Sequence, residues 1–206
     1  MESFFLNYQI ILLILSSYLL GSIPFGYLIF KLKKKSDIRE FGSGNIGATN
    51  VNRLLGKKLG ILTLILDFSK TFAITLLIFR FYGSDLGSIC GLFSIIGHVF
   101  PLWLKFKGGK GVASFLGLLF VISWPLSIFF CLVWMIAVKA LKYSGAAAII
   151  SLVLVILLFK MILHIQFSYN TLLWIPGTQY EFNIITLLSA LILLKHYSNI
   201  ISFFKK

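Results

Sequence analysis

The sequence predicts an all-α integral membrane protein: a single polytopic domain over residues 1–206, with about seven transmembrane helices. Two features of composition predict this class: 59% of the residues are hydrophobic and only 12% are charged, about half the charged share of a soluble domain. The third observation is that charge-free apolar stretches long enough to cross a bilayer recur along the chain. So high an apolar content also excludes a disordered chain.

The first predicted span, residues 4–30, contains no charged residue. Four lysines between residues 31 and 35 follow this span instead of preceding it. That order argues against a cleaved signal peptide and predicts an N-terminus outside the cell.

The later spans follow from the same hydropathy argument. The apolar stretch 111–138 is too long for one crossing, and Trp124-Pro125 at its middle favours a division there. Residues 165–180 are polar and aromatic, and we expect an external loop. The remaining predicted spans are 57–80, 86–104, 111–123, 125–141, 145–163 and 182–202.

The distribution of charge supports seven crossings. With seven, nearly all lysines and arginines lie on the inner face, as the positive-inside rule requires, and the C-terminus is cytoplasmic. With six, Lys139, Lys142 and the C-terminal lysines would lie outside. The net charge of +13 therefore indicates cytoplasmic loops and anionic ligands, and we expect no nucleic acid partner.

No Cys or His lies at metal-ligand spacing from Cys90 or Cys131, so we predict no metal site and no cofactor.

The first candidate site is a glycine-rich polar segment after the first span. Its glycines can present backbone N–H groups to an anion, and its arginine offers a fork suited to phosphate. The segment nominally matches G-x-G-x-x-G, but it lies between membrane helices, outside any βαβ unit, which argues against dinucleotide binding. The alternative is a flexible polar loop. The candidate phosphate-binding residues are Gly42, Ser43, Gly44, Asn45, Thr49, Asn50 and Arg53.

The second candidate site lies after the third span, where lysines and glycines precede a helix and could cradle an anion. It is no Walker A loop, because Leu104 and Gly111 stand where that motif needs Gly and Ser or Thr. His98 is a candidate acid/base or phosphate donor, or else a packed, hydrogen-bonded histidine. The candidate residues are His98, Lys107, Gly108, Gly109, Lys110 and Gly111.

Two further pairs have i, i+3 spacing on a helix. Asp67 and Lys70 lie inside a span, where ionisable residues are costly; they are functional, or form a buried ion pair that supports the bundle. His196 and Asn199, at the inner end of the last span, either close the same pocket or anchor the helix.

The sequence shows no activated nucleophile. It has no Gly-x-Ser-x-Gly elbow, and none of the three histidines is followed by Asp at the fifth position, as in the His-x4-Asp acyltransferases. This disfavours an acyl-enzyme and leaves electrostatic positioning of anionic substrates as the catalytic resource.

Together these residues resemble the acyl-phosphate-dependent glycerol-3-phosphate acyltransferases of the PlsY type. The resemblance is close over roughly the first 115 residues and rests on hydropathy beyond them. The segments that carry it are Gly21–Leu28, Asp37–Arg39, Gly42–Asn50 with Arg53 and Gly56, Asp67 with Lys70, Gly97–His98, Phe100–Pro101 and Lys107–Val112.

The resemblance implies a multi-pass enzyme of the bacterial inner membrane with a cytoplasmic active site. Such an enzyme transfers a fatty acyl group from acyl phosphate to the 1-hydroxyl of sn-glycerol 3-phosphate, giving lysophosphatidic acid and phosphate. The implied partners are both substrates, membrane lipids and, as a candidate, the enzyme that makes acyl phosphate. The implied catalytic residues are Ser43, Arg53, Lys110 and His196, and Ser43, Asn45, Asn50, Arg53, Lys107 and Lys110 would hold the phosphates.

The second half departs from the family pattern. Where the family has approximately Arg-Tyr-x-Ser-Leu-x-Ser, this chain has Lys142–Ala148, with Ser144 one position away from a motif serine. The C-terminal motif keeps His196, Asn199 and Ile200 but lacks two arginines and a final glutamate. Two alternatives therefore stay open: an impaired paralogue that binds phosphorylated lipid precursors, and an organic-phosphate transporter.

Overall fold

The computed structural model describes residues 2–197, with side chains from residue 7 onward. The chain, expected from its sequence to be one membrane domain, forms two compact units, Met1–Leu118 and Leu119–Lys206. Asn199 and the end of the predicted span 182–202 lie outside the described residues.

The described residues are predominantly helical. The α-helices are α1 (Glu2–Gly21), α2 (Phe25–Lys34), α3 (Ala48–Leu55), α4 (Lys57–Tyr82), α5 (Ser84–Val99), α6 (Val112–Ile122), α7 (Trp124–Leu141), α8 (Ser144–Tyr169) and α9 (Gln179–Lys195), and two 3₁₀ helices cover Ile38–Glu40 and Leu102–Leu104. Five stretches within residues 2–197 are long and apolar enough to cross a membrane: Asn7–Lys34, Lys57–Tyr82, Ser84–Leu104, Trp124–Leu141 and Ser144–Tyr169.

The first predicted span is not one continuous helix. It is interrupted between Gly21 and Phe25, because Pro24 has no N–H to donate and its ring disfavours helical backbone at Ile23. This break leaves backbone carbonyls that need partners from elsewhere in the fold.

Other helix ends also differ from the predicted boundaries. α5 ends at Val99, just before Phe100-Pro101, instead of continuing to residue 104. α8 continues through Tyr169, so the first residues of the expected loop 165–180 are helical. In the stretch 111–138 one helix ends at Ile122 and the next begins at Trp124, with Pro125 in its first turn, where a proline costs no hydrogen bond.

In the first unit, glycines allow helices to approach closely. α1 packs on α5, where a Cβ on Gly21 would collide with the backbone of Ser94 and one on Gly97 with that of Tyr18. The hydroxyl of Tyr18 also donates to Phe100 O at 2.8 Å. Such small-residue contacts are typical of helix pairs in membranes.

In the second unit, α8 packs against α7 and α9. α9 begins with a capping box: Glu181 N–H donates to Thr178 Oγ1 at 3.2 Å, and Thr178 N–H donates to Glu181 Oε2 at 2.8 Å. This box satisfies N–H groups at the helix start and fixes where α9 begins.

Candidate functional site

The first glycine-rich loop, residues 41–47, is organised by the buried side chain of Asn50 in α3. Asn50 Oδ1 accepts from the Ser43 N–H at 2.9 Å, and Nδ2 donates to Phe41 O at 3.1 Å and Asn45 O at 2.9 Å. Only 1% of this residue is exposed. The amide group of Asn50 therefore shapes the loop, and its contact with phosphate stays a prediction.

Two glycines permit this loop conformation. Gly42 has φ +62° and Gly44 has φ +67°, in the left-handed region that glycine adopts without steric cost. A Cβ on Gly42 would also collide with Asn50 Oδ1. Asn45 closes the loop, since its Oδ1 accepts from the Gly47 N–H at 2.8 Å.

Three predicted site residues are exposed around this loop: Ser43, Thr49 and Arg53. Thr49 and Arg53 are four residues apart on α3 and therefore lie on the same helix face. The Thr49 hydroxyl lies in the first turn of α3, where the helix dipole favours an anion, and Arg53 in the last turn adds a guanidinium suited to phosphate.

Arg39 connects this region to the second loop. Its guanidinium binds Asp37, with Nε at 3.0 Å from both carboxylate oxygens, and Nη1 donates to Leu104 O at 3.3 Å. This pairing lowers the pKa of Asp37 and raises that of Arg39. Sequence reasoning did not place Arg39 in the site; the Asp-x-Arg spacing was the available signal.

The second loop, residues 105–111, folds back onto the end of α5. The Gly108 N–H donates to Val99 O at 3.2 Å and the Gly109 N–H donates to His98 O at 3.1 Å. A Cβ on Gly108 would collide with the backbone of His98, and one on Gly109 with the His98 ring. These two predicted residues therefore permit close packing of the loop on α5.

The two predicted lysines of this loop have different environments. Lys107 is exposed, whereas Lys110 is half-buried. Burial lowers the pKa of Lys110 from 10.5 to about 8. Lys110 is therefore still mostly protonated at pH 7. Its positive charge would offset the cost of desolvating an anion bound at this site.

Asp67, Lys70 and His98 form a buried cluster beneath the second loop. Lys70 Nζ lies 2.9 Å from Asp67 Oδ1 and 2.9 Å from His98 Nδ1. An ammonium only donates, so Nδ1 of His98 accepts from it. Of the two roles left open for His98, the structure shows the packed, hydrogen-bonded one.

An apolar groove opens beside the second loop. It has a volume of about 360 Å³, begins at the break between α1 and α2, and runs to Leu104. Its lining residues are Ile23, Pro24, Tyr27, Leu28, Lys31, Trp103 and Leu104.

The other predicted site residues belong to the second unit or lie beyond the described chain. Ser144 begins α8. His196 is buried and its Nδ1 donates to Ile192 O at 2.8 Å. Their place in the substrate site, and that of Asn199, stays a prediction.

These features can be compared with known proteins. The family described as glycerol-3-phosphate acyltransferase matches residues 11–206. The chain belongs to this family. A glycerol-3-phosphate acyltransferase of Bartonella henselae is 40% identical over 194 residues, which cover 92% of this chain and 85% of the relative. The relative from Ehrlichia canis is 40% identical over 191 residues, covering 92% of each chain.

Two solved structures of a glycerol 3-phosphate acyltransferase are also similar to this chain. The crystal structure of PlsY, an integral membrane glycerol 3-phosphate acyltransferase, in its glycerol 3-phosphate form has a TM-score of 0.84 and 36% identity, and covers 96% of this chain and 92% of that one. Its lysophosphatidic acid form has a TM-score of 0.80 and 35% identity, with the same coverage. This chain is therefore an all-helical integral membrane acyltransferase.

Proposed function

We propose that this chain transfers a fatty acyl group from acyl phosphate to the 1-hydroxyl of sn-glycerol 3-phosphate, releasing lysophosphatidic acid and phosphate. The observation that carries the proposal is the family match over residues 11–206, together with the glycerol 3-phosphate and lysophosphatidic acid forms of the similar PlsY structures. The motif resemblance supports acyl phosphate as the donor.

Direct attack is the simplest reaction for this site. The 1-hydroxyl oxygen attacks the carbonyl carbon of the mixed anhydride, the new ester C–O bond forms, and the C–O bond to phosphate breaks with its electrons leaving on phosphate. The hydroxyl proton goes to the departing phosphate. Because phosphate is a good leaving group, no enzyme nucleophile is required, and positioning with charge stabilisation supplies the catalysis.

The polar and cationic groups around the two loops suit two phosphorylated substrates. We assign Ser43, Asn45, Thr49 and Arg53 to one phosphate site and Lys107 and Lys110 to the other. Arg39 supports this assignment, since its guanidinium holds the backbone of Leu104, directly before the second loop, against the segment that leads into the first.

The apolar groove suits the acyl chain. It ends at Leu104, the residue before the second loop, so a chain lying in it would have its reactive end beside Lys107 and Lys110. Lys31 at the rim adds a positive charge. The chain would then remain in a lipid-like environment while the phosphate reaches the polar loops.

The topology is also a proposal: one polytopic domain in the bacterial inner membrane, seven crossings, N-terminus outside and both loops cytoplasmic. Five stretches are long enough for ordinary spans. At 11 residues, α6 would measure about 16 Å, against about 30 Å of hydrocarbon. This crossing would need local thinning of the bilayer or shielding by other helices.

The decisive experiment compares acyl donors. Purified protein in lipid nanodiscs is given radiolabelled glycerol 3-phosphate with palmitoyl phosphate or palmitoyl-CoA, and lysophosphatidic acid is quantified. We expect product from acyl phosphate only. Product from acyl-CoA alone would refute the donor assignment. Binding of glycerol 3-phosphate without product from either donor would favour the impaired paralogue, which the altered motifs after Lys142 suggest.

A further inference from the structure

We infer that Lys70 is a positioning residue that fixes the second loop relative to the break between α1 and α2. The inference rests on the proposed function, because the second loop is the assigned phosphate site. It concerns a buried group that contacts no substrate in the proposed reaction and for which the sequence left open a functional role or a buried ion pair.

Three acceptors from three segments surround the Lys70 ammonium. They are Asp67 Oδ1 on its own helix, His98 Nδ1 on α5 and Ile23 O at the helix break, each at 2.9 Å. The Lys70 side chain is 5% exposed and that of Asp67 is 3% exposed. All three ammonium protons therefore have acceptors, and the ammonium lies over the Phe25 ring at 5.6 Å.

His98 links Lys70 to the second loop. Its carbonyl accepts from the Gly109 N–H at 3.1 Å, and its ring packs where a Gly109 side chain would otherwise stand. Ser114 Oγ, on α6 beyond the loop, donates to Asp67 O at 3.0 Å. The C-terminal half of the loop is thus held, at Gly109 and just beyond its end at Ser114, by residues in contact with the Asp67–Lys70 pair.

Neutralising the buried charge of Lys70 does not require three acceptors around its ammonium. Asp67 alone would compensate Lys70, and an apolar pair of similar volume would stabilise the bundle as well or better. The contacts to Ile23 and His98 add something that an ion pair lacks, namely a fixed spacing between the groove, which includes Ile23, and the loop that contains Lys107 and Lys110. That spacing would align the acyl chain with its phosphate.

The test is a double variant, Asp67→Asn with Lys70→Met, which removes both buried charges together. It leaves Ile23 O and His98 Nδ1 without the Lys70 donor while avoiding an unpaired buried charge. Thr71→Val is the matched control, because Thr71 Oγ1 and the Ser94 hydroxyl form a buried α4–α5 hydrogen bond at 2.8 Å, away from the loop.

Two measurements separate positioning from stability. We expect the double variant to stay folded with a modestly lower melting temperature, because two buried acceptors lose their donor, while the exchange rates of the Gly108 and Gly109 amides rise at least about tenfold and kcat/KM falls by about 100-fold, mostly through KM. Thr71→Val should change neither the exchange rates nor KM. Wild-type exchange and wild-type KM in a folded double variant would overturn the inference.

Two further outcomes are distinguishable. If wild-type protein makes no lysophosphatidic acid, the proposed function fails, but the amide exchange still tests the positioning role. If the double variant does not fold, Lys70→Arg serves instead: it keeps the charge pair but presents a planar fork, which cannot meet three convergent acceptors in the same geometry. Faster exchange of the two glycine amides supports the inference, and unchanged exchange contradicts it.

Discussion

Arg53 and Lys110 are the two cations of the site that differ most in environment. Arg53 is exposed on a short helix, whereas Lys110 is half-buried and its pKa is lowered to about 8 by burial. Burial makes the charge of the Lys110 ammonium sensitive to alkaline pH. We therefore predict different kinetic effects for substitutions of these two residues.

Replacing Arg53 by Ala should lower kcat/KM for glycerol 3-phosphate by about 100-fold, because one charged donor to phosphate is lost. Arg53→Lys should recover only part of this loss, since an ammonium cannot bind two phosphate oxygens in a fork. Steady-state kinetics in nanodiscs would measure both. Lys58→Ala, an exposed cation in the first turn of α4, is the matched control. An equal loss in that control would show that only overall charge matters.

Lys110 should give the reaction an alkaline limb. If its ammonium holds phosphate, kcat/KM falls by up to about tenfold per pH unit above the Lys110 pKa of about 8. Lys110→Arg should remove this alkaline decline, because a guanidinium stays protonated throughout this range. Between pH 8 and 10.5 the unfolded chain binds more protons at this position than the folded one, so the contribution of Lys110 to the unfolding free energy rises with pH. An alkaline limb that survives in Lys110→Arg would contradict the assignment.

Residue types and spacing assign the chemistry to the two loops, and that assignment stays a prediction. Ser43, Arg53 and Lys107 are exposed, as a phosphate site requires. Asn50 and His98 were grouped with them, yet both are buried and bind the protein itself. An amide or an imidazole can form hydrogen bonds with a ligand or with the protein backbone equally well. Its neighbours in the folded structure, which the sequence does not show, determine which of the two it binds.

At the scale of elements, the first loop depends on one side chain in the helix that follows it. Asn50→Ala should destabilise the protein by about 1–3 kcal/mol, because the Ser43 N–H and two carbonyls lose a buried partner. It should also lower kcat/KM, because the loop that carries Ser43 loses its conformation. Thermal unfolding and kinetics would be compared with Asn52→Ala, an exposed asparagine on the same helix. Wild-type activity in Asn50→Ala would show that the site does not need this loop conformation.

Hydropathy located the helical segments, and local chemistry explains where their ends differ. Pro24 breaks the first predicted span, a signal that the uniform apolar run concealed. α8 extends to Tyr169 because Gln166, expected in a loop, donates to Leu172 O and Ile175 O and binds the following turn to the helix. Such side-chain contacts between neighbouring elements have no periodicity and are invisible to a hydropathy pattern.

At the scale of the whole molecule, the number of crossings decides where the basic residues lie. Seven crossings place Lys34 and Lys139 on the cytoplasmic side, and Asp85 and Asn170 on the outer side. Six crossings, with α6 and α7 acting as one, would move Lys139 outside and Asn170 inside. Helix lengths alone do not decide between six and seven crossings, since α6, with only 11 residues, is short for a separate crossing.

Cysteine labelling would measure the topology. In a Cys90→Ala, Cys131→Ser background, single cysteines would replace Lys34, Lys139, Asp85 or Asn170, all of which are exposed. A membrane-impermeant maleimide added to intact spheroplasts should label the variants at 85 and 170, whereas those at 34 and 139 should react only after lysis. Each variant must keep acyltransferase activity, which serves as the folding control. Labelling at 139 before lysis would replace seven crossings with six, and labelling at 34 before lysis would reverse the orientation of the first loop.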